Sequence, residues 1–469
     1  MRKILIGLYL LVVVAAFGQN KEMACKLKGH LENSSGSELI IYKFDNSFET
    51  AIPVDEKGNF AGSFKLLEPG IYFIKQGKAY STIFLKNSYD LTVNIDTKVF
   101  AKSMVFSGEG ADFNKYLKDK AELKSNLIVD AKVFFVVSVD SFLIRIDNYA
   151  VKLKQQLEGT KLVKEDRDLA QKLIEYDYLL IRNNYQKFYV YHTKTEPFIP
   201  EHYLDPIRNL DMNDAQAYNN SMDYRYLIVD KWRIFEADAK KKNPNHSIIE
   251  FTGAFADKIQ YEPVRDQIVR MLFNQVDARN PNYELNYQKI KPLVRVDKTK
   301  QELEKRLATA QTNRAGMSLT GFDYENHKGG KTSLASLKGK YVYIDIWATW
   351  CGPCIREFPE LTNLIADYKS NQNIEFVCIS IDSKEDYEKW RSFVTDKKVG
   401  GLQLIADKGL GSDFMKFLNV SLIPRNVLID PQGNIISSAG LRPSDKNTRE
   451  TLAKYVGAPI VKSTVTKLN

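Results

Sequence analysis

The sequence is short of cysteine, histidine and long runs of one charge sign, and each shortage excludes a class of protein. Only four cysteines and five histidines occur in 469 residues, too few for a disulfide-built scaffold. Two cysteines are separated by two residues, but zinc would need two further ligands at a matching spacing. No histidine lies near the pair, so we expect neither a metal nor another cofactor.

The charge pattern excludes a second class. The net charge is +9, from 67 Lys and Arg against 58 Asp and Glu, and the one short basic run is at residues 240–242. Such a surplus is typical of a solvated surface, and no motif supports nucleic-acid binding. At this length we expect about three domains.

One apolar run stands out, at the N-terminus. A basic start precedes Ile4–Phe17, and small residues occupy positions 16 and 18, as signal peptidase requires. The run is shorter than the roughly 20 residues that span a bilayer, and no other segment approaches that length without charges. The sequence therefore predicts a cleaved signal peptide over residues 1–18, a periplasmic protein and no stable membrane insertion. A lipid anchor on Cys25 is the alternative, but charged Lys21 and Glu22 precede it.

The pattern of the remaining chain changes twice, which predicts three domains. Residues 19–108 alternate apolar and polar side chains between turn signals, as in a small β-sandwich. Residues 109–311 have helical spacing, for example over Ala131–Leu157 and Glu165–Tyr189, and predict an all-α domain. Its clustered tyrosines indicate bundle packing, with a partner-docking surface as the alternative. Residues 312–460 alternate strands and helices and predict an α/β domain, followed by a tail at 461–469.

Within the α/β domain, the apolar runs predict individual elements. We expect strands at Tyr341–Trp347, Ile374–Ile381, Leu402–Ile405 and Asn426–Ile429, and a closing helix at Lys446–Val456. Residues 329–332 (Gly-Gly-Lys-Thr) hint at a phosphate loop, but no strand leads into them, so they are interpreted as a hairpin turn.

The reactive residues follow the first of these strands. Cys351 and Cys354 stand in Trp-Cys-Gly-Pro-Cys, where the strand gives way to a helix. Free backbone N–H groups and the helix dipole favour a thiolate there, and the thiolate is the attacking species in disulfide exchange. We predict that Cys351 is the exposed nucleophile and Cys354 the shielded resolving thiol. Cys25 and Cys378 are interpreted as buried, small apolar side chains.

Asp345 lies alone among apolar residues of the same strand. Burial of an unpaired carboxylate should raise its pKa. Asp345 is therefore a candidate base for Cys354, and a structural carboxylate paired with a buried donor is the alternative.

The segment from Ile344 to Cys354, Ile-Asp-Ile-Trp-Ala-Thr-Trp-Cys-Gly-Pro-Cys, resembles the active-site strand and helix of thioredoxin. The continuation Ile-Arg-Glu-Phe-Pro is similar to the exported TlpA/ResA-type reductases. This resemblance covers about residues 315–458 and implies a thioredoxin-like fold. It implies that Glu357 lies near the thiols and helps to set their acidity, with an ordinary first-turn acid as the alternative.

The resemblance also implies a substrate-binding element at Ile423, Pro424 and Arg425, with Trp350 beside the dithiol. Pro424 would be a cis-proline that faces the dithiol and aligns an incoming peptide. Arg425 stands where a threonine is common. Its guanidinium would either favour acidic substrates or stabilise a thiolate, and the sequence leaves that choice open.

Taken together, the motif and the resemblance imply an exported thiol–disulfide oxidoreductase that reduces disulfides in periplasmic proteins, apocytochrome c being one candidate target. Gly-Pro between the cysteines implies, by analogy, a low potential near roughly −270 mV and a membrane electron donor of the DsbD/CcdA kind. A disulfide oxidase or isomerase and a binding or scaffold protein are alternatives. A thiol peroxidase is another, but Ile344 and Ala348 occupy the positions where its motif needs Pro and Thr.

Overall fold

The computed structural model describes residues 24–458, apart from residues 35, 45, 46, 279 and 439. The predicted signal peptide and the tail at 461–469 lie outside the described residues. The chain forms two compact units, Met1–Lys241 and Lys242–Asn469, so the last predicted helices share a unit with the C-terminal sheet. The three predicted domain boundaries stay a prediction. None of the described helices is both long and apolar enough to cross a bilayer.

The first unit begins with two four-stranded sheets, whose orders are β4-β1-β7-β8 and β3-β2-β5-β6. The strands are β1 (Cys25–Glu32), β2 (Glu38–Tyr42), β3 (Glu49–Pro53), β4 (Asn59–Phe64), β5 (Gly70–Gln76), β6 (Ala79–Leu85), β7 (Asp90–Asp96) and β8 (Val105–Gly108). Alternate side chains of both sheets, such as Leu27, Leu91, Ile41 and Ile74, are fully buried in one core. The predicted β region is therefore confirmed.

Helices complete the first unit and confirm the predicted helical region. They are α1 (Phe100–Ser103), α2 (Ala111–Leu127), α3 (Ala131–Phe135), α4 (Val139–Glu158), α5 (Lys164–Thr193), α6 (Asp205–Arg208), α7 (Ala215–Asn220) and α8 (Met222–Lys242). The helical pattern over Ala131–Leu157 is interrupted between α3 and α4. The reason is Ser138, whose hydroxyl accepts a hydrogen bond from the Ser141 amide at 3.3 Å and caps a new helix.

Several of the clustered tyrosines pack inside this unit. Tyr185 is buried against Phe142 and donates its hydroxyl to the Val137 carbonyl at 2.7 Å. Tyr176 is also buried, whereas Tyr191 is exposed. Packing therefore accounts for the inward-facing members of the cluster.

The second unit begins with four helices and continues into a seven-stranded sheet of order β10-β9-β13-β12-β11-β14-β15. Its elements are α9 (Ile248–Ala256), α10 (Glu262–Arg270), α11 (Tyr283–Ile290), α12 (Asp297–Thr312), β9 (Asp323–Asn326), β10 (Lys331–Ser333), β11 (Tyr341–Trp347), α13 (Gly352–Asp367), β12 (Ile374–Ser380), α14 (Tyr387–Lys397), β13 (Leu402–Ile405), α15 (Asp413–Phe417), β14 (Arg425–Ile429), β15 (Ile435–Ser437) and α16 (Lys446–Val456).

Strand β11 lies inside this sheet, parallel to β12 and antiparallel to β14. Its side chains are buried on both faces of the sheet after Tyr341, which explains why its sequence is an almost unbroken apolar run. The predicted strands and the closing helix are confirmed to within one residue. The predicted hairpin turn is confirmed too, because Gly329 and Gly330 join β9 to β10 with φ of 97° and 67°, which favours glycine.

Candidate active site

The two cysteines of the motif lie at the junction between β11 and α13, where they form a disulfide. Cys351 is the N-cap residue of α13, and its Sγ accepts a hydrogen bond from the Cys354 amide at 3.2 Å. Pro353 lies in the first turn, where a missing N–H costs nothing. The helix whose dipole would favour a Cys351 thiolate is therefore present, and Cys351 lies at its N-terminus.

The exposed fractions of the two cysteines differ less than predicted. Cys351 is 4% exposed and Cys354 1% exposed in this oxidised form. Trp350, directly before them, is 57% exposed. The nucleophilic role of Cys351 stays a prediction that depends on its N-cap position and not on open access.

Asp382 holds the loop before Cys351, and sequence reasoning missed it. Its buried carboxylate accepts hydrogen bonds from the Thr349 amide at 3.0 Å, the Thr349 hydroxyl at 2.8 Å and the Ser380 hydroxyl at 2.6 Å. Three donors satisfy this carboxylate and fix the backbone next to the disulfide. An acidic residue two positions after an apolar strand was the available signal.

Asp345 is also buried, but its environment is different. It is 1% exposed, and the Asn426 side-chain amide of β14 donates to its Oδ1 at 2.7 Å. The pKa of Asp345 is raised to about 7: burial is the largest cause, the Asn426 hydrogen bond lowers the pKa, and the Glu357 charge raises it. Asn426 is thus the buried donor that the structural alternative required, yet as a neutral group it leaves the pKa high.

The side chain of Asp345 faces the helix that bears the disulfide. Side chains alternate along a strand, so Asp345 shares a face of β11 with Trp347. The Trp347 ring packs on Phe358 of α13, with ring centroids 4.9 Å apart. This face therefore lies beneath α13, where a base for Cys354 would have to be.

Glu357 has a partner that the sequence did not predict. Its carboxylate accepts hydrogen bonds from the hydroxyl of Ser444 at 2.9 Å and from its amide at 3.0 Å. These bonds tie the first part of α13 to the loop before α16. The predicted effect of Glu357 on thiol acidity stays a prediction.

The predicted substrate-binding element leads into β14, whose first residue is Arg425. The Ile423–Pro424 peptide bond is cis, and Ile423 packs against the core of the sheet. Arg425 pairs in register with Ile346, so its side chain points to the face of the sheet opposite Asp345. One guanidinium nitrogen of Arg425 lies 3.5 Å from the Leu418 carbonyl, which accepts its hydrogen bond.

A groove of about 830 Å³ borders the exposed Trp350. Its lining comes from the residues after β12 and β13 and from the β9 hairpin. Trp350 therefore lies at the border of an open groove.

Two cysteines, Cys25 and Cys378, lie outside the motif. Cys25 and Cys378 are free and buried, as predicted. Burial raises the pKa of the Cys25 thiol to about 12 and that of Cys378 well above its ordinary value, so neither is a ready nucleophile. Among the described residues, no cluster of metal-ligating side chains occurs.

Comparison with known proteins gives matches to the C-terminal part of the chain. Residues 315–451 match the AhpC/TSA family. The thiol–disulfide oxidoreductase ResA of Bacillus subtilis is 30% identical over 121 residues, 26% of this chain and 64% of that protein. The thioredoxin-like protein YneN of the same organism is 32% identical over 121 residues, 26% of this chain and 68% of that protein. The chain thus spans less than two thirds of the ResA relative.

A solved structure gives a similar match. A thiol–disulfide oxidoreductase from Bacteroides fragilis is 29% identical and aligns over 29% of this chain and 99% of its own, with a TM-score of 0.26.

Proposed function

Because the chain belongs to the thioredoxin-like family through its C-terminal domain, we propose that it is an exported thiol–disulfide oxidoreductase that reduces disulfides in other proteins. The observation on which this depends is the Cys351–Cys354 pair at the start of α13, with buried Asp345 on the strand face beneath that helix. The ResA relative is a thiol–disulfide oxidoreductase by name.

The proposed reaction needs two exchanges and no cofactor. In the reduced protein, the Cys351 thiolate attacks one sulfur of a substrate disulfide, forms a mixed disulfide and releases the other sulfur as a thiolate. Cys354 then loses its proton and attacks the Cys351 sulfur. The substrate leaves as a dithiol, and the protein keeps the disulfide seen in this structure.

Asp345 is the proposed acceptor of the Cys354 proton. A base works best when its pKa lies near the working pH, and burial raises the pKa of Asp345 to about 7. A carboxylate with an ordinary pKa would be ionised at neutral pH but would be a weaker base.

The substrate would lie across Trp350 and the Ile423–Pro424 segment. Trp350 offers an exposed aromatic surface beside Cys351, and β14 begins directly after Pro424 at the end of β11 that leads to the disulfide. An extended peptide placed there would bring its disulfide to Cys351.

Export and electron supply complete the proposal. The basic start and apolar run at residues 1–18 support secretion to the periplasm, where disulfides form. Each turnover leaves the protein oxidised, so two electrons must come from a dithiol donor, which we propose to be a membrane protein of the DsbD/CcdA kind. Mass spectrometry of the native protein should show a mature chain that begins near Gln19 without a lipid on Cys25.

The reductase direction is tested by a redox titration of the purified protein against dithiothreitol or glutathione. We expect a potential well below the roughly −120 mV of a strong periplasmic oxidant. A value near that of the oxidant would overturn the reductase proposal and favour the oxidase. Hydrogen peroxide should be a poor substrate, and fast peroxide turnover would favour the peroxidase.

A further inference from the structure

A second cleft lies in the unit that contains the disulfide. Its volume is about 330 Å³, at the lower end of ligand pockets. We call it the arginine cleft, after its cationic lining. The residues used below are Arg306, Arg425, Arg442, Asn313, Asp277 and Pro424.

The lining of the arginine cleft is cationic. The described residues of the lining include three arginines and a single acidic residue, Asp277. Within the part of the chain that the structure describes, neither Arg306 nor Arg442 forms an ion pair, and Arg306 Nε makes no hydrogen bond. An anionic group would therefore find guanidinium donors that the protein itself does not use.

One neutral group of the cleft indicates what kind of anion fits. Asn313 directly follows α12 as its C-cap and is 2% exposed, and its Oδ1 makes no hydrogen bond to any described residue. A buried acceptor of this kind needs a donor. A polypeptide supplies N–H donors as well as carboxylates, whereas a simple anion supplies acceptors alone.

Two segments of the cleft lining are connected to the elements that position the disulfide. Pro424 and Arg425 lie where β14 begins, beside the end of β11 that leads to Cys351. Arg442 lies two residues before Ser444, which binds Glu357 on the disulfide-bearing helix α13.

Arg425 lines the cleft, and its side chain points to the sheet face opposite Asp345 and α13. This orientation argues against the thiolate alternative for Arg425 and leaves acidic substrates as the other alternative.

We propose that the arginine cleft binds an acidic segment next to the cysteine of a disulfide-bearing polypeptide, and so selects acidic substrates for the dithiol. This inference rests on the proposed function, since it names the substrate class of that same site. Arg306 and Arg442 would provide long-range attraction, and Asn313 would accept a peptide N–H.

The test compares two synthetic disulfide peptides that differ only by Glu or Gln on both sides of each cysteine. Full-length protein, reduced beforehand, is mixed with each peptide in single-turnover experiments at low salt. We expect the Glu peptide to react about threefold to tenfold faster, and the ratio to fall towards one at high salt. Arg306→Gln and Arg442→Gln should each lower the ratio by at least half.

Arg314→Gln is the matched control, because Arg314 is exposed, follows α12 and does not line the cleft. It should keep the wild-type ratio. Equal rates for the two peptides, or an equal loss of the ratio in all three variants, would overturn the inference while leaving the reductase activity standing.

Two further measurements distinguish a failure of the proposed function from a failure of the arginine-cleft inference. If neither peptide is reduced, the proposed function fails, and fluorescence anisotropy with Ser-for-Cys versions of the peptides tests the cleft alone. There we expect tighter binding of the Glu version and its loss in Arg306→Gln; equal binding would refute the cleft. If the arginine variants slow only glutathione disulfide, the ligand is a small carboxylate and the polypeptide inference is wrong.

Discussion

The two units of the molecule each bury an aspartate, and the two carboxylates behave in opposite ways. Asp177, in α5 of the first unit, is fully buried and paired with Lys120 at 2.7 Å and with Lys124. Burial, the largest single effect, raises its pKa, but the two lysines together outweigh burial and the pKa is lowered. Asp345, in the second unit, accepts a hydrogen bond from the neutral Asn426 amide, and burial raises its pKa to about 7.

The comparison teaches that burial alone does not identify a functional carboxylate. A buried acid with cationic partners is held ionised and serves the fold, as expected for Asp177. A buried acid with one neutral partner remains able to exchange a proton near neutral pH. Between Asp177 and Asp345, the charge of the partner, more than the depth of burial, separates the structural group from the proposed catalytic one.

The largest effect is expected from substitution of the two cysteines, and it would show that the disulfide chemistry belongs to the second unit alone. Cys351→Ser should abolish disulfide exchange, because it removes the proposed nucleophile. Cys354→Ser should still attack and then stall as a mixed disulfide, which mass spectrometry would detect. A mixed disulfide through Cys354 in the Cys351→Ser protein would reverse the assignment.

The next effect concerns Asp345 as a proton acceptor. General-base help is typically worth about 10²–10⁴-fold, so Asp345→Asn should slow release of the mixed disulfide by a factor in that range without abolishing it. Glu357→Gln should also slow turnover, whereas Glu360→Gln on the same helix is the matched control. If both test variants react at the wild-type rate from pH 6 to 8, the two carboxylates are structural.

For Asp177 we expect a loss of stability and not of chemistry. Asp177→Asn removes the counter-charge of Lys120 and one of the two counter-charges of Lys124, which also pairs with Asp223 at 3.7 Å. The loss should cost about 3 kcal/mol of unfolding free energy. Asp119→Asn, on the exposed pair with Lys115, should change it by less than about 1 kcal/mol. Urea unfolding measures both. Slower exchange by folded Asp177→Asn protein would contradict the comparison.

The same comparison predicts opposite pH dependences. Because the folded pKa of Asp345 is raised to about 7, the native state keeps a proton that the unfolded state has lost between about pH 4 and pH 7. The unfolding free energy should therefore fall as pH rises through that window, by up to about 4 kcal/mol. For Asp177, whose folded pKa is lowered, stability is present above the unfolded pKa and is lost as the solution becomes more acidic.

Unfolding curves measured from pH 4 to 8 test these two opposite pH dependences of stability. Fluorescence of Trp347 and Trp390, both buried in the second unit, reports on that unit. Asp345→Asn should flatten its pH dependence and stabilise it at pH 8. An unchanged slope in that variant would mean that the Asp345 pKa is ordinary.

The sequence predicted the local parts of the candidate site and missed the long-range ones. β11 and the start of α13 could be recognised because an apolar run, two cysteines and Gly-Pro are neighbours in sequence. Asn426 could not, because it meets Asp345 across 81 residues and only the antiparallel register of β11 and β14 joins them. The arginine cleft was hidden for a similar reason, since Arg306 and Arg442 lie on separate segments.

The smallest expected effect tests whether Asn426 tunes Asp345. The Asn426 hydrogen bond lowers the Asp345 pKa, so Asn426→Ala should raise it above about 7. A single hydrogen bond is worth about 0.5–1.5 kcal/mol. When the rate of mixed-disulfide release is measured against pH, the midpoint of the curve should therefore move to higher pH by at most about one unit.

Asn326→Ala is the matched control, because Asn326 is buried in the same sheet but bonds to Thr332 at 2.9 Å. It should lower stability without moving the midpoint. Asn426→Leu keeps most of the side-chain volume and serves if the alanine variant does not fold. A midpoint that stays at the wild-type pH in both Asn426 variants would show that Asn426 only packs and does not tune the acidity of Asp345.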